Sequence, residues 1–203
     1  MTEFQDTHDL ARLESHCWTV LRHAISDRDH GWRLPVLATI AEQGCQQRTV
    51  VLRDVQPEQR RFAFHTDIRS AKIEQIRTQP KLSVLFYDTD SRAQLSVFAT
   101  GRIHQDDELA DRIWQDESES SLKTYLAPDR PGKAKEQRDP NLPSQFVDEL
   151  PTRSQLESVR PNFAVISCEV QSLDLLLLRS DGHIRCQFQY TDSQLARARW
   201  VTP

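Results

Sequence analysis

The chain has 203 residues, 37% hydrophobic and 28% charged, which is enough for one well-packed domain, short for two, and leaves much solvated surface. Its formal net charge of -4 gives no bulk attraction for nucleic acid or an anionic membrane, so neither is an expected partner. Cys17, Cys45, Cys168 and Cys186 form no C-x-x-C pair and have no histidine at zinc spacing, which points to a reducing compartment, small buried thiols and no metal site.

The acidic N-terminal stretch lacks an apolar segment of the signal-peptide kind, and the longest apolar run, Leu175 to Leu178, is far too short to span a bilayer. A soluble, cytoplasmic protein is expected. Residues 8–28 place Leu10, Leu13, Cys17, Val20, Leu21, Ala24 and Ile25 at helical spacing, with Asp6 or Thr7 as the cap and Gly31 as the stop. A strand is predicted over 34–41, with Pro35 near its start, and further strands over about 46–55, 61–66, 82–87 and 93–104. A short helix over about 70–78 ends before Pro80, and another over about 106–115 follows Asp106 and Asp107, whose charges suit its positive end. The prolines and charges of 127–153 read as a long irregular loop. Strands resume at about 162–173 and 183–190, joined through Ser180-Asp181-Gly182, and Trp200 suggests a docked C-terminus. These short strands with inserted helices predict a mainly β chain with peripheral helices (α+β), arranged as a small β-barrel in one domain over residues 1–203.

The chemistry concentrates between Arg48 and Lys72. Strict alternation along Arg48–Arg53 puts Arg48, Val50 and Leu52 on one face and Thr49, Val51 and Arg53 on the other. The two arginines would then flank one ligand at the barrel rim or serve two. Ser70 is a good N-cap, so the amides of the 70–78 helix make an anion site, and Lys72 adds a charge in its first turn. A lysine there opposes the helix dipole and implies another task. Arginines outnumber lysines 21 to 5; genomic base composition accounts for such a ratio, and the other reading is that each retained lysine, Lys72 among them, has a task. His65-Thr66 ends the preceding strand.

The ordered set Arg-x-Val-Val-Leu-Arg, an aromatic-rich strand, Thr-Asp-x-x-Ser-x-Lys, Pro80, Leu-Phe-Tyr and Gln94 resembles the pyridoxamine 5'-phosphate oxidase family over residues 34–104. The resemblance implies a split β-barrel, a homodimer with FMN at its interface, and a small-molecule substrate. It implies that Arg48 and Lys72 hold the FMN phosphate with Ser70 nearby, that Val50 and Val51 line the flavin, and that His65 and Thr66 replace a Tyr-Thr pair beside it. Arg53 matches a lysine that reaches toward the substrate phosphate and the flavin, and Gln94 a glutamine that bonds the flavin ring. His183 and Arg185 stand near a C-terminal Arg-x-His-x-Arg signature and are the candidates for gripping an anionic substrate. Ser70-Ala71-Lys72 lacks the arginine of the family's Ser-Arg-Lys. Residues 112–122 offer Arg112, Trp114, Ser118 and Ser121 without a clear match to its substrate-phosphate ligands. The expected function is therefore an FMN-dependent oxidoreductase of a branch with an unassigned small anionic substrate. The alternatives are a true pyridoxamine or pyridoxine 5'-phosphate oxidase and a non-catalytic FMN-binding module.

Overall fold

The computed structural model describes Phe4 and residues 8–203; Asp6 and Thr7, the expected cap residues, lie outside them. The first helix, α1 (Leu10–Ser26), is capped by Asp9, whose carboxylate accepts from the amides of Ala11 and Arg12 at 2.8 and 3.3 Å. Its stripe of Leu13, Cys17, Trp18, Val20, Leu21 and Ala24 is buried, as the helical period requires. The helix stops at Ser26, so Gly31 is not its terminator. Gly31 opens a short 3-10 turn packed so tightly that an added Cβ would lie 2.6 Å from the Tyr87 carbonyl oxygen.

Nine strands are found among the described residues. They are β1 (Val36–Ala41), β2 (Gly44–Thr49), β3 (Asp54–Gln56), β4 (Arg61–Asp67), β5 (Lys81–Asp88), β6 (Ala93–His104), β7 (Phe163–Leu177), β8 (Ile184–Thr191) and β9 (Gln194–Val201). Helix α2 (Ala71–Thr78) lies between β4 and β5. The pairings are antiparallel, in the order β2-β1-β5-β6-β7-β4-β3, with β8 on β7 and β9 on β8.

The predicted 46–55 strand is two pieces, and its interruption shapes the barrel. β2 and β3 are the two ends of the ladder yet are successive in the chain. The amides of Val50 and Leu52 donate to the carbonyls of Pro35 and Arg33 at 3.0 and 2.9 Å, on the β1 side. The Arg53 amide then donates to Ala63 of β4 at 2.9 Å. The hydrogen-bonded ladder stays open, and the chain itself crosses the gap: a split β-barrel with peripheral helices.

The barrel interior holds Trp32, Phe62, Phe64, Phe86 and Phe188, all fully buried, and each contributes about 1.5–3 kcal/mol relative to exposure. A second core lies outside β4 and β7, where α3 (Glu108–Asp116), α4 (Glu119–Leu122), the 3-10 turn Lys123–Leu126 and α5 (Arg153–Glu157) bring Trp114, Leu122, Tyr125 and Leu156 against Ala63, Phe163 and Val165. β4 is therefore covered on both faces, and its sequence shows no clean alternation.

Helices α4 and α5 and strand β9 were not legible in the sequence. The β8–β9 hairpin turns on Asp192 and Ser193, both at positive φ (50° and 61°), with neither the glycine nor the asparagine that usually marks such a turn. The C-terminal segment docks through the backbone pairing of β9, while Trp200 itself remains 45% exposed. Three cysteines are buried as expected, but Cys45 is exposed. No helix of the described residues is long and apolar enough to cross a membrane.

Replacing Gly31 by alanine forces its Cβ onto the Tyr87 carbonyl and the Asp88 Cα. The expected cost is about 1–3 kcal/mol, seen as a lower thermal midpoint for the variant. An unchanged midpoint would show that this approach of backbone to backbone has slack.

Candidate functional site

The irregular residues 50–53, the end of β4 and the first turn of α2 enclose a cleft of ≈ 730 Å³, within the usual range for a cofactor site. Six of the expected cofactor residues line it: Val50, Val51, Arg53, His65, Thr66 and Lys72. Strict alternation would have sent Val50 and Val51 to opposite faces. Both reach the cleft because the strand is broken where they stand. The far wall comes from the 127–153 segment through Ala127, Pro131, Pro140, Asn141 and Leu142. Arg69 ties this wall to the α2 start: it pairs with Asp67 at 2.6 Å and donates to the Ala127 carbonyl at 2.9 Å. The wall also closes on itself, since the Asp129 amide donates to Asn141 Oδ1 and Asn141 Nδ2 to the Asp129 carbonyl.

Ser70 occupies the N-cap position of α2, but its hydroxyl makes no capping bond. It accepts instead from Lys72 Nζ at 2.7 Å, and Thr66 Oγ1 accepts from the same ammonium at 2.9 Å. Burial, then the neighbouring charge of Arg48, pull the Lys72 pKa down to about 8 against the opposing effect of Asp67. Arg48 does not line the cleft. Its guanidinium donates to Thr39 Oγ1 and to Gln75 Oε1 on α2. Among the described residues neither Lys72 nor Arg48 has a carboxylate ion-pair partner. Two half-buried cations at a helix start, held by neutral oxygens, fit a phosphate group.

A different arrangement forms the floor. Arg53 NH1 lies 3.0 Å from Glu117 Oε2 and 3.3 Å from Ser121 Oγ, with the two charged side chains only 15% and 13% exposed. His65 Nε2 is 3.4 Å from Glu117 Oε1, and His65 Nδ1 is 2.7 Å from the Tyr125 hydroxyl. Burial holds the His65 pKa below its usual value, so the imidazole is neutral at neutral pH. Burial pushes Glu117 up, but His65, Arg53 and Ser121 outweigh it and keep the carboxylate charged. His65 Nε2 approaches Glu117 without a hydrogen bond, and the direction of the Nδ1–Tyr125 bond is set by the imidazole tautomer. The second core fixes this geometry: Phe163 packs 5.5 Å from the His65 ring and 5.2 Å from both Tyr125 and Trp114.

Gln94, His183 and Arg185 are not brought to this cleft within one chain. His65 pairs with Val165 and Gln94 with Leu176, eleven residues further along β7, or roughly 36 Å of strand contour. Arg185 sits opposite the same Leu176 and makes a two-pronged bond to Asp174 at 2.9 Å. His183 is exposed, and its Nδ1 accepts from the Arg179 amide. Glu117 and Tyr125 were not singled out from the sequence. Glu117 is the residue that ends α3 and Tyr125 lies in a 3-10 turn of four residues, where spacing carries no sign that they would meet β4.

A family model described as "Pyridoxamine 5'-phosphate oxidase, FMN-binding domain" matches residues 15–105. Among solved structures, a pyridoxamine 5'-phosphate oxidase-related, FMN binding protein from Nostoc punctiforme is 21% identical, with a TM-score of 0.73, covering 98% of this chain and all of that one. PhzG from Burkholderia lata, solved with tetrahydrophenazine-1-carboxylic acid, is 17% identical with a TM-score of 0.64, over 100% of this chain and 97% of its own. A Clostridium acetobutylicum protein related to general stress protein 26 is 13% identical with a TM-score of 0.54, over 90% and 98%. At these identities the structural likenesses establish the fold. No curated protein matches the sequence.

Proposed function

We propose that the chain, whose residues 15–105 match the model of the pyridoxamine 5'-phosphate oxidase FMN-binding domain, is an FMN-dependent oxidoreductase acting on a small anionic substrate. FMN is the cofactor of this family's domain. The observation that carries the reading is the pair of neighbouring cations, Lys72 in the first turn of α2 and Arg48 against Gln75 of the same helix, that have no carboxylate ion-pair partner among the described residues. Lys72 would hold the phosphate together with Ser70 and Thr66, Arg48 would act through its charge, and Val50 and Val51 would flank the ring. Bound there, FMN would supply hydride or electron transfer at its N5 position. Lys123, on the cleft rim, has a backbone carbonyl as its hydrogen-bond partner and is the cation best placed for the substrate's charged end.

Gln94, His183 and Arg185 fit this scheme if they serve the cleft of a second copy, so a homodimer with FMN at its interface is part of the proposal. The outer face of β1, β5 and β6 supports it: Ile40, Leu85, Tyr87 and Phe98 are 40–49% exposed there, on the face that also carries Gln94. Arg185 shares that face across Leu176. Sedimentation should give twice the chain mass; a monomer at micromolar concentration would leave these three residues without a role.

Lys72→Ala should weaken FMN binding by roughly 1.5–3 kcal/mol, the value of a charge-assisted bond, in a fluorescence titration. In the wild type the affinity should fall as pH rises through about 8, where Lys72 loses its proton. Anion binding favours the protonated form, so the loss lies on the alkaline side. Affinity flat from pH 7 to 9.5 would remove Lys72 from the site. Turnover is tested by mixing FMN-loaded protein anaerobically with small carboxylated and phosphorylated amines and alcohols. Bleaching of the flavin band and its return in air mark an oxidase; no bleaching by any of them would favour a non-catalytic FMN module. Pyridoxal phosphate formation would identify the true pyridoxamine phosphate oxidase.

A further inference from the structure

The cations in the cleft and beside it divide into two kinds. Lys72 and Arg48 are held by hydroxyls and an amide and lack a counter-charge among the described residues. Arg53 is ion-paired to a buried carboxylate, and that carboxylate also faces the imidazole of His65. We propose that Glu117 is the specificity-determining residue of the cleft: it neutralises Arg53, so the floor receives an uncharged or cationic hydrogen-bonding group and rejects a second phosphate or carboxylate. This rests on FMN occupying the Lys72 end.

Three features of the floor lead there. First, Arg53 spends NH1 on Glu117 and Ser121, which occupies its end-on edge, and its Nε is buried from solvent, which keeps an oxyanion from the side-on edge. Second, an anion placed against Arg53 would also lie near Glu117, whose charge is shielded by little water, and like charges in a half-buried site repel strongly. Third, the remaining floor groups are neutral: His65 and Tyr125 form a hydrogen-bonded pair, and Ser121 is a hydroxyl. A ligand hydroxyl, amine or ring nitrogen finds partners in that set.

The substrate class follows from charge placement. An anionic end belongs at the rim with Lys123, and a neutral or cationic hydrogen-bonding end belongs on the floor. Such a ligand carries an acid group at one end and a neutral or basic hydrogen-bonding group at the other, as an amino acid or a hydroxy acid does. A substrate with a phosphate directed at Arg53 does not fit.

The test measures phosphate rather than turnover. Inorganic phosphate is titrated by equilibrium dialysis into FMN-loaded wild type, Glu117→Gln and the double variant Glu117→Gln/Arg53→Met, with Glu117→Ala as a second single variant should the first fold poorly. We expect each single variant to bind one further phosphate at least tenfold more tightly than the wild type, and the double variant to lose that gain. Equal phosphate binding by wild type and single variants, or a gain that survives loss of Arg53, would overturn the assignment. Flavin uptake is read separately from absorbance, and the phosphate titration is repeated on flavin-free protein. A chain that takes no FMN yet shows the Glu117-dependent gain would sink the cofactor reading and leave this one standing, and the reverse result would do the opposite.

Discussion

The break at residues 50–53 is the constraint on which the cleft depends. A regular strand there would keep donating to one neighbour and would alternate its side chains. The chain instead gives two amides to the segment leading into β1 and the next bond to β4. That change of partner joins the two ends of an open sheet, and it lets Val50, Val51 and Arg53 contribute to one cavity. The backbone cost is small because each of these amides still finds a carbonyl at 2.9–3.0 Å.

Around this crossing, two kinds of electrostatic environment sit a short way apart. At the α2 end, burial and mutual repulsion between Lys72 and Arg48 weaken the lysine's hold on its proton, a penalty relieved when an anion arrives. On the floor the cation already has its anion. The cleft therefore carries an uncompensated positive charge at one end and a compensated one at the other, an asymmetry that distinguishes anionic from neutral groups.

Much of this was legible from residue order. Ser70 and Lys72 stand at a helix start, and His65 and Thr66 close the preceding strand. Arg48 and Arg53 make contacts with different side chains, and the break in the strand rather than strict alternation separates them. The α1 cap was misplaced because Asp9, closer to the first apolar residue, does the capping. The turn into β9 places Asp192 and Ser193 at positive φ, which aspartate tolerates but serine seldom adopts, and no glycine follows to mark it.

The sequence by itself determined the elements whose signals are local: amphipathic α1, the α2 start with its lysine, and the mainly β character of the chain. These follow from spacing and capping chemistry, which act over a few residues. Only the tertiary structure decided what neutralises what. The partner of Arg53 is 64 residues away, and that of His65 is 60 residues away. Both arrive on short helical elements held by a second core that no local pattern specifies. Ion pairing is set by through-space distance and burial, so which cations stay available to a ligand becomes visible only once the chain has folded.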